Sequence, residues 1–443
     1  MKRTTTIALT ALSAGVVLSA GLTPTFLTST KQPAHVSAPA AARRASGVTT
    51  IVWAAGTISG NGLRQDMVNH FEKLHPTIHV KIVQEPSNTN TTRAQLVSEI
   101  SGGATSPDVY MGDVIWPGQF GSLHLALPLS QHLSKSFFSR FAPGLVQGAS
   151  YKGVVYGAPF FQDSGFLYYR KDLLAKAHLP VPRTWQQLMH DSLVLQHKHM
   201  VKYGFVWQGA SYEGLTCDWM EYLTDAGGQV FNKAGKPVMN SPQAVKALTF
   251  MRSLITSGVT PKDVITMQEP QAMTAFNDGQ AAFLRNWDYA WTNSQTKGQS
   301  KVIGKVGVVP LPTFAGHAGT GYATIGGWNL YVNPHSKHLA ADLTFINWMT
   351  GVQGQTILAT KASEIPTNAA VQRNPQIRKL NPVLSIVSKT HLIARPSQTP
   401  QYPAISLAIY SNINAALAGQ VSVKQALQTA NSQIAQAANK SGL

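Results

Sequence analysis

Three aromatic residues at alternate positions form the most distinctive chemical pattern in the sequence. They are Trp287, Tyr289 and Trp291, in the segment RNWDYAWTN. Side chains alternate faces along an extended chain, so this spacing predicts that the three rings share one side. Such a row of rings can fill a core or present a flat platform to a ligand. The polar flanks of the segment favour a platform for Trp287 and Tyr289, whereas core packing is expected for Trp291.

Four acidic residues are candidates for a site beside such rings: Asp113, Asp163, Glu213 and Asp288. Glycoside hydrolysis needs only two carboxylates, so no sequence motif identifies or excludes it. A protein that merely binds a sugar uses the same side chains, because sugars offer flat C–H faces to rings and hydroxyl groups to carboxylates. The sequence contains no GxSxG, HExxH, P-loop or GxGxxG motif. These residues favour carbohydrate chemistry and leave binding and hydrolysis open.

The charge balance narrows the classes of partner. Lys and Arg number 36 against 19 Asp and Glu, which gives a net charge of +17, although only 12% of residues are charged. The basic residues are scattered, and a nucleic-acid backbone is held by clustered cations, so no nucleic-acid partner is expected. A chain with few carboxylates loses few ion pairs as the pH falls, which suggests that the protein works in an acidic medium. The single Cys217 excludes an internal disulfide and cysteine-based metal sites, and a buried thiol is expected.

The first residues of the chain have the composition of a targeting segment. Lys2 and Arg3 precede an apolar stretch and then small residues, which is the pattern of a secretory signal peptide. We assign 1–45 to this peptide and to a leader rich in Pro, Ala and Ser. The segment contains no Cys for a lipoprotein anchor, and an uncleaved membrane anchor is the alternative. The protein is therefore predicted to be secreted to the extracellular or periplasmic face of the membrane, free or tethered.

The elements that must position the candidate residues alternate along the chain. A strand predicted at GVTTIVWAAGT precedes an amphipathic helix with Leu63, Met67, Val68, Phe71 and Leu74 on its apolar face. A second strand, a second helix and the strand PDVYMGD follow. This order predicts a parallel sheet with crossover helices. Because the alternation continues and the chain is too long for one ordinary core, the predicted fold class is α/β with two lobes.

Several segments resemble those of one protein family. The most specific are RNWDYAW and TIGGWNL, and YYRKDLL marks the wider family; SPDVYMGDVIWPGQFGSL and YGFVWQGASYEGLTCDWMEYLTDAGG agree as well. The sequence is similar to the family 1 extracellular solute-binding proteins of ABC importers, and within them to the trehalose/maltose-binding group. The resemblance covers essentially the whole chain after the leader, in the family's order.

This resemblance implies a periplasmic-binding-protein-like fold, with a ligand cleft between two α/β lobes. The N-terminal lobe would comprise 48–161 plus 311–349, and the C-terminal lobe 162–310 plus 350–443. The extended stretches APFFQDSG and VVPLPTF would cross between the lobes as hinge segments, because a hinge absorbs its rotation at the ends of elements.

The resemblance also assigns residues to the ligand site. Asp113 and Asp163 would accept hydrogen bonds from sugar hydroxyls, with a helix cap and a structural carboxylate as their alternatives. Trp287 and Tyr289 would form the platform. The other residues expected at the ligand are Gly327, Trp328, Arg395, Arg93 and Glu213. Core packing for Trp328, a surface salt bridge for Arg395 and a solvated helix position for Arg93 are the alternatives.

One segment departs from the family's pattern. Many relatives carry a sugar-binding acid in the loop after the first strand, but the loop AAGTISGNG has none. Neutral Thr57, Ser59 or Asn61 would take its place. Because ligands rich in hydroxyl groups are discriminated by which buried polar groups stay paired, this departure predicts an altered specificity.

The function implied by the resemblance is that of a receptor. It would capture a di- or oligosaccharide by lobe closure and deliver it to the permease subunits of a membrane importer. Such a receptor is not an enzyme, needs no cofactor or metal, and is expected to act as a monomer. Three alternatives stay open: the same fold binding a polyol, glycerol phosphate or peptide; a secreted glycosidase; and a lectin-like surface protein without a transporter.

Overall fold

The structure is a computed structural model of the 443-residue chain, described here over 47–56, 62–317, 319–380 and 382–439. The predicted signal peptide and leader lie outside the described residues. None of the described helices is both long enough and apolar enough to cross a membrane.

The strands of the described residues are β1 (Thr49–Gly56), β2 (Ile78–Glu85), β3 (Val109–Asp113), β4 (Ser150–Tyr151), β5 (Val154–Val155), β6 (Ala158–Ser164), β7 (Phe166–Arg170), β8 (Tyr203–Val206), β9 (Ala281–Asn286), β10 (Val306–Val309), β11 (Tyr322–Val332), β12 (Ile365–Pro366) and β13 (His391–Ile393). The first nine α-helices are α1 (Leu63–Leu74), α2 (Thr89–Ser101), α3 (Pro117–Ser122), α4 (Lys135–Phe138), α5 (Pro143–Gly148), α6 (Lys171–Ala177), α7 (Trp185–His197), α8 (Glu213–Asp225) and α9 (Pro242–Thr256). The others are α10 (Glu269–Asn277), α11 (Ala290–Ser294), α12 (Leu339–Met349), α13 (Val352–Lys361), α14 (Ala369–Arg373), α15 (Pro375–Arg378), α16 (Pro382–Ile386), α17 (Tyr402–Leu417) and α18 (Val423–Asn439). Short 3₁₀ turns cover Leu129–Gln131, Lys262–Thr266 and Val387–Lys389.

The larger sheet has the strand order β12–β6–β11–β3–β1–β2, with β13 paired to the start of β11. Strand β1 is parallel to both β2 and β3, so the parallel arrangement predicted for the first three strands is confirmed. Strand β11 runs antiparallel to β3 and β6. The sheet is therefore mixed, and a late segment of the chain lies at its centre.

Helix α1 shows how burial on this sheet follows the sequence. Met67, Val68 and Phe71 are fully buried and Leu63 is nearly so. Full burial of one such side chain stabilises the fold by roughly 1.5–3 kcal/mol. Leu74, which the spacing also placed on the apolar face, is 54% exposed. It is the last residue of the helix, so no following turn covers it.

The smaller sheet has the order β10–β7–β9–β8, with β8 parallel to β9 and the other pairs antiparallel. Apolar side chains of α7, α8, α9, α17 and α18 form the core on one of its faces. Side chains of α10 and α14–α16 form a second core with Phe166, Tyr168 and Leu284 of the sheet. The two sheets, each with its own helices, are the two lobes of the α/β fold.

One lobe limit differs from the sequence-based assignment, which placed 350–443 in the C-terminal lobe. Leu358 and Ala362 pack in the core of the larger sheet, and β12 pairs with β6 of that sheet. An apolar helix pattern predicts burial but not which sheet will be covered. The segment through β12 therefore contributes to the core of the larger sheet, and the lobe limits stay predictions.

Candidate functional site

A cleft lies where β1 and β3 of the larger sheet end, and it is lined by residues of that sheet, of the segment after β9 and of the starts of α8 and α10. Crevices at the carboxyl ends of strands are the usual ligand sites of α/β sheets. The cleft holds about 880 Å³ of empty space, part of it open to solvent. Nowhere in the described residues could three or more His, Cys, Asp or Glu side chains together hold a metal ion.

Most of the sequence-predicted ligand residues line this cleft: Asp113, Asp163, Glu213, Trp287, Tyr289, Gly327, Trp328 and Arg395. Arg93 is the exception. It lies in a small adjoining recess, where its Nη1 donates a hydrogen bond to Oε1 of Gln119 at 3.1 Å. The structure thus brings eight of the nine together, and their contact with a ligand stays a prediction.

Arg395 connects the two sides of the cleft. Its Nη2 donates to Oδ1 of Asp113 at the end of β3 (3.0 Å), and its Nη1 to Oε1 of Glu213 at the start of α8 (2.9 Å). Nη2 also lies 3.3 Å from the carbonyl oxygen of Ile325 on β11. Burial lowers the pKa of Arg395, but Asp113 and the other neighbouring groups more than offset this, so the pKa is raised. Arg395 is 6% exposed, so the alternative of a surface salt bridge is wrong.

The two carboxylates on Arg395 are held by further donors. Glu213 accepts hydrogen bonds from the hydroxyls of Tyr402 and Ser406 on α17. Burial raises the pKa of Glu213, and Arg395 opposes this rise. Asp113 accepts from the amide of Ile115 (3.2 Å), so it also stabilises the turn after β3. Both the functional and the structural interpretation of Asp113 are therefore compatible with its contacts.

The aromatic platform is built differently from the extended ladder that the spacing predicted. Strand β9 ends at Asn286, Tyr289 has helical dihedrals (φ −61°, ψ −21°), and α11 follows. The carbonyls of Trp287 and Asp288 accept hydrogen bonds from the Tyr168 hydroxyl, at 2.7 and 3.1 Å, instead of pairing in the sheet. The prediction that all three rings share one face is therefore wrong.

Two of the rings nevertheless meet at the cleft. Trp287 and Tyr289 are each 8% exposed and cluster with Cys217, whose thiol is buried as expected. Trp291 packs instead against the second core of the smaller sheet, as the sequence suggested. Adjacent turns, rather than alternation along a strand, bring the two platform rings together.

The Trp287 ring is fixed from two directions. The guanidinium carbon of Arg285 lies 4.1 Å from the ring centroid, and the indole Nε1 donates to Oε1 of Glu269 at 3.3 Å. Arg285 is in turn bound by Glu221 and Asp218 on α8. A cation over a desolvated ring contributes roughly 2 kcal/mol. Since Arg285 covers one face of the ring, only the opposite face can stack on a ligand.

Two glycines allow β11 to pass close to these groups. Gly327 has a φ of +125°, and a Cβ there would lie 2.4 Å from the carbonyl oxygen of Phe161. A Cβ on Gly326 would lie 3.0 Å from both the Asp163 Cβ and the Trp287 ring. Trp328 follows, half-buried, with its ring edge-on to Trp116 at 6.1 Å. The sequence GGW therefore brings bare backbone and then a ring to the cleft.

The sequence did not identify several other residues that line the cleft: Pro86, Ser87, Thr89, Tyr212, Cys217, Glu269, Met273 and Gly326. Glu269, the first residue of α10, is the most consequential, because it adds a carboxylate beside Trp287. The only feature of the sequence that could have pointed to Glu269 is an acid before a proline at the start of a helix. The predicted neutral substitutes Thr57, Ser59 and Asn61 lie outside the described residues, directly after Gly56 of the cleft.

The acidic residues of the protein are largely internal. Twelve of the 19 Asp and Glu residues are buried, so the surface carries few acids. Burial raises the pKa of Asp163, Asp225 and Asp342, each to about 7. A carboxyl group whose pKa is higher in the folded than in the unfolded protein stabilises the fold. This contribution is complete at pH values below the pKa of the unfolded protein. This stabilisation is lost as the pH rises through the folded pKa.

We therefore expect the thermal midpoint to be several degrees higher at about pH 5 than at about pH 8. Circular dichroism melts in matched ionic strength would measure it. Asp342 lies on α12, away from the cleft, and accepts a hydrogen bond from Ser336. Asp342→Asn should therefore reduce the pH dependence of the midpoint and keep the fold. A thermal midpoint that is higher at about pH 8 than at about pH 5 would contradict the expectation.

The two-lobe fold, with a polar cleft that carries rings and carboxylates, defines a binding protein of the periplasmic type. Residues 54–356 match the family described as bacterial extracellular solute-binding protein. The chain belongs to that family.

Individual relatives agree with this assignment. A probable ABC transporter-binding protein of Deinococcus radiodurans is 35% identical over 366 residues, which cover 80% of this chain and 86% of that protein. The maltose-bound MalE3 of T. maritima is 34% identical, with a TM-score of 0.81 over 87% of this chain and 99% of that one. A mannitol-binding protein of Pseudomonas aeruginosa is 25% identical over 90% of this chain and 95% of that protein.

Proposed function

We propose that the protein is the extracellular receptor of an ABC sugar importer, and that its ligand is a di- or oligosaccharide of the trehalose or maltose type. The observation that carries the proposal is the meeting of Trp287 and Tyr289 with four carboxylates in one cleft. Rings suit the C–H faces of pyranoses, and buried carboxylates suit their hydroxyl groups. The maltose-bound structure of a relative that is 34% identical supports the same ligand class.

The charges in the cleft argue against a phosphorylated ligand. Asp113, Asp163, Glu213 and Glu269 line it, and Arg395 is the one Lys or Arg among the described lining residues. Arg395 is already bound to Asp113 and Glu213. A phosphate would require cations that are free to pair with it. The alternative of glycerol phosphate is therefore disfavoured, and a neutral solute is favoured.

A polyol is the second candidate, because a relative that covers 90% of this chain is a mannitol-binding protein. Polyols offer hydroxyl groups but no rigid ring face to stack on Trp287. A cyclic sugar uses both parts of the cleft, so we expect it to bind more tightly.

The proposed mechanism is capture by closure. An open form admits the sugar, the lobes rotate about APFFQDSG, which contains β6, and VVPLPTF, which begins at the end of β10, and the closed form docks on the permease subunits. The sugar must bind the closed form more tightly than the open form, since equal affinity shifts no equilibrium. We further propose that the sugar is released unchanged, that the receptor acts as a monomer, and that its N-terminal segment directs it out of the cell.

A thermal-shift panel on the protein without residues 1–45 tests the ligand class. Trehalose, maltose, longer maltodextrins, sucrose, mannitol and ribitol are compared. A ligand at 100 times its Kd adds roughly 2.7 kcal/mol to the free energy of unfolding, which is visible as several degrees. We expect a disaccharide to give the largest shift and to be recovered intact. Cleaved sugar would support the glycosidase, a shift with polyols alone would support the second candidate, and no shift would contradict the ligand class.

A further inference from the structure

One asparagine side chain links the two lobes outside the cleft. Asn90 is the second residue of α2, whose Leu96 and Ile100 pack on the larger sheet. Its Nδ2 donates a hydrogen bond to the hydroxyl of Tyr410 on α17 at 3.0 Å. Its Oδ1 accepts from the amide of Glu213, the first residue of α8, at 3.2 Å. Because α8 and α17 both pack in the core of the smaller sheet, this one side chain holds two helices of the opposite lobe.

The two partners fix the orientation of the Asn90 amide. A backbone N–H can only donate, so the Glu213 amide requires the oxygen of the asparagine. The nitrogen can only donate, and it finds an acceptor in the Tyr410 hydroxyl. A flipped amide would set its nitrogen against the Glu213 N–H, donor against donor. Both polar ends of Asn90 are therefore used in bonds to the other lobe.

The bond to Glu213 serves the start of helix α8. The first N–H groups of a helix have no acceptor within the helix, and the oxygen of an asparagine is among the acceptors that best replace one. Tyr212 is the N-cap residue of α8, and within the described part of the chain its side chain makes no capping hydrogen bond. Asn90 supplies an acceptor there instead. Helix α8 thus receives a cap from the opposite lobe.

Asn90 is placed where it can act on the lobes but not on the ligand. It lies in the small recess that also contains Arg93, and it is not among the residues that line the cleft. Arg395 also connects the two sides of the cleft, but it lines the cleft and can contact a solute. The effects of Asn90 on closure can therefore be measured apart from ligand contact.

We propose that Asn90 is a positioning residue that caps α8 only when the lobes are closed, so that its two hydrogen bonds strengthen the binding of every ligand without contacting any of them. This inference rests on the proposed function, because capture by closure supplies the open form in which the bonds are broken. In that form water takes the place of Asn90 at α8 and α17. Bonds made only in the closed form add to the affinity of any ligand that closes the cleft. They form after the ligand has entered, so they slow its release.

Asn90→Ala removes both bonds. One net hydrogen bond changes an equilibrium constant by roughly two- to twelvefold, so Kd should rise roughly five- to a hundredfold. The dissociation rate constant should carry this rise, and the association rate constant should stay within about twofold of the native value. Titration calorimetry and stopped-flow fluorescence measure these quantities, with maltose and with each other solute that raises the thermal midpoint. The factor should be the same for all of them. Tyr410→Phe keeps the cap on α8 and should raise Kd by only about two- to twelvefold.

Asn414→Ala is the matched control. Asn414 lies on α17 and also makes two hydrogen bonds, to the carbonyls of Gly209 and Ile265 at 2.8 and 2.9 Å, but both partners belong to the same lobe as α17. This variant should lower the thermal midpoint and leave Kd within a fewfold of the native value. A native Kd in Asn90→Ala would overturn the proposal. So would an equal loss of affinity in Asn414→Ala, or a loss that differs from one ligand to another.

Failure of this inference is distinguishable from failure of the proposed function. If only mannitol or ribitol binds, the sugar class is wrong, and the same factor is expected for the polyol. If nothing in the panel binds, hydrogen exchange of the protein without ligand decides. The amides of 213–215 should then exchange several-fold faster in Asn90→Ala than in the native protein, because the variant lacks the cap. Equal exchange would overturn the proposal. Should Asn90→Ala fail to fold, the Kd and dissociation rate of Tyr410→Phe decide.

Discussion

Replacement of Arg395 by methionine is expected to reduce sugar affinity by at least a hundredfold and to lower the thermal midpoint by several degrees. The guanidinium carries bonds to Asp113, Glu213 and the Ile325 carbonyl, which belong to three different elements. Its removal leaves two buried carboxylates without their cation, which costs roughly 3–5 kcal/mol. Calorimetry and thermal melts measure the two effects.

The control for this prediction is Arg170→Met. Arg170 is also buried and pairs with Asp172 at 2.7 Å, but it lies on β7 and does not line the cleft. Arg170→Met should lower the thermal midpoint less than Arg395→Met does, because Asp172 can be solvated. Arg170→Met should leave the sugar affinity unchanged. Native affinity in Arg395→Met would show that the bridge is structural only. An equal loss of affinity in both variants would show that the effect is general destabilisation.

Replacement of Trp287 by alanine should raise Kd by about thirty- to a hundredfold. One face of the ring is covered by Arg285, so the ligand gains the hydrophobic burial of the other face. Loss of a large apolar contact of this kind costs roughly 2–3 kcal/mol, and each 1.4 kcal/mol is about tenfold in Kd. The variant also removes the partner of Glu269, which can turn to solvent. Titration calorimetry with the same sugar measures the change.

Trp291→Ala is the matched control, because it removes a tryptophan four positions later that packs in the second core of the smaller sheet. It should lower the thermal midpoint and leave Kd within a fewfold of the native value. A polyol has no ring face to stack on Trp287. If the ligand is a polyol, Trp287→Ala should therefore cost little affinity. Comparable losses of affinity in both variants would contradict the platform.

The family resemblance placed Asp113, Gly327 and Trp328 at the ligand, and all three line the cleft, although their contact with a ligand stays a prediction. The spacing of the aromatic residues gave a wrong prediction, because a distant partner decides the backbone there. The Tyr168 hydroxyl, on β7, binds the carbonyls that would have continued β9, and no spacing in RNWDYAWTN reveals it. Arg93 likewise lies in the adjoining recess rather than in the cleft, because a side chain 26 positions later, Gln119, holds it there.

The sequence by itself determined the α/β class, the parallel start of the larger sheet and the buried thiol. These follow from periodicity and composition, which are summed along the chain. Only the tertiary structure decided which charged groups meet. It brings Arg395 to both Asp113 and Glu213, across 282 and 182 positions. Burial and neighbouring charge set the ionisation of these groups, and both quantities exist only once the chain has folded.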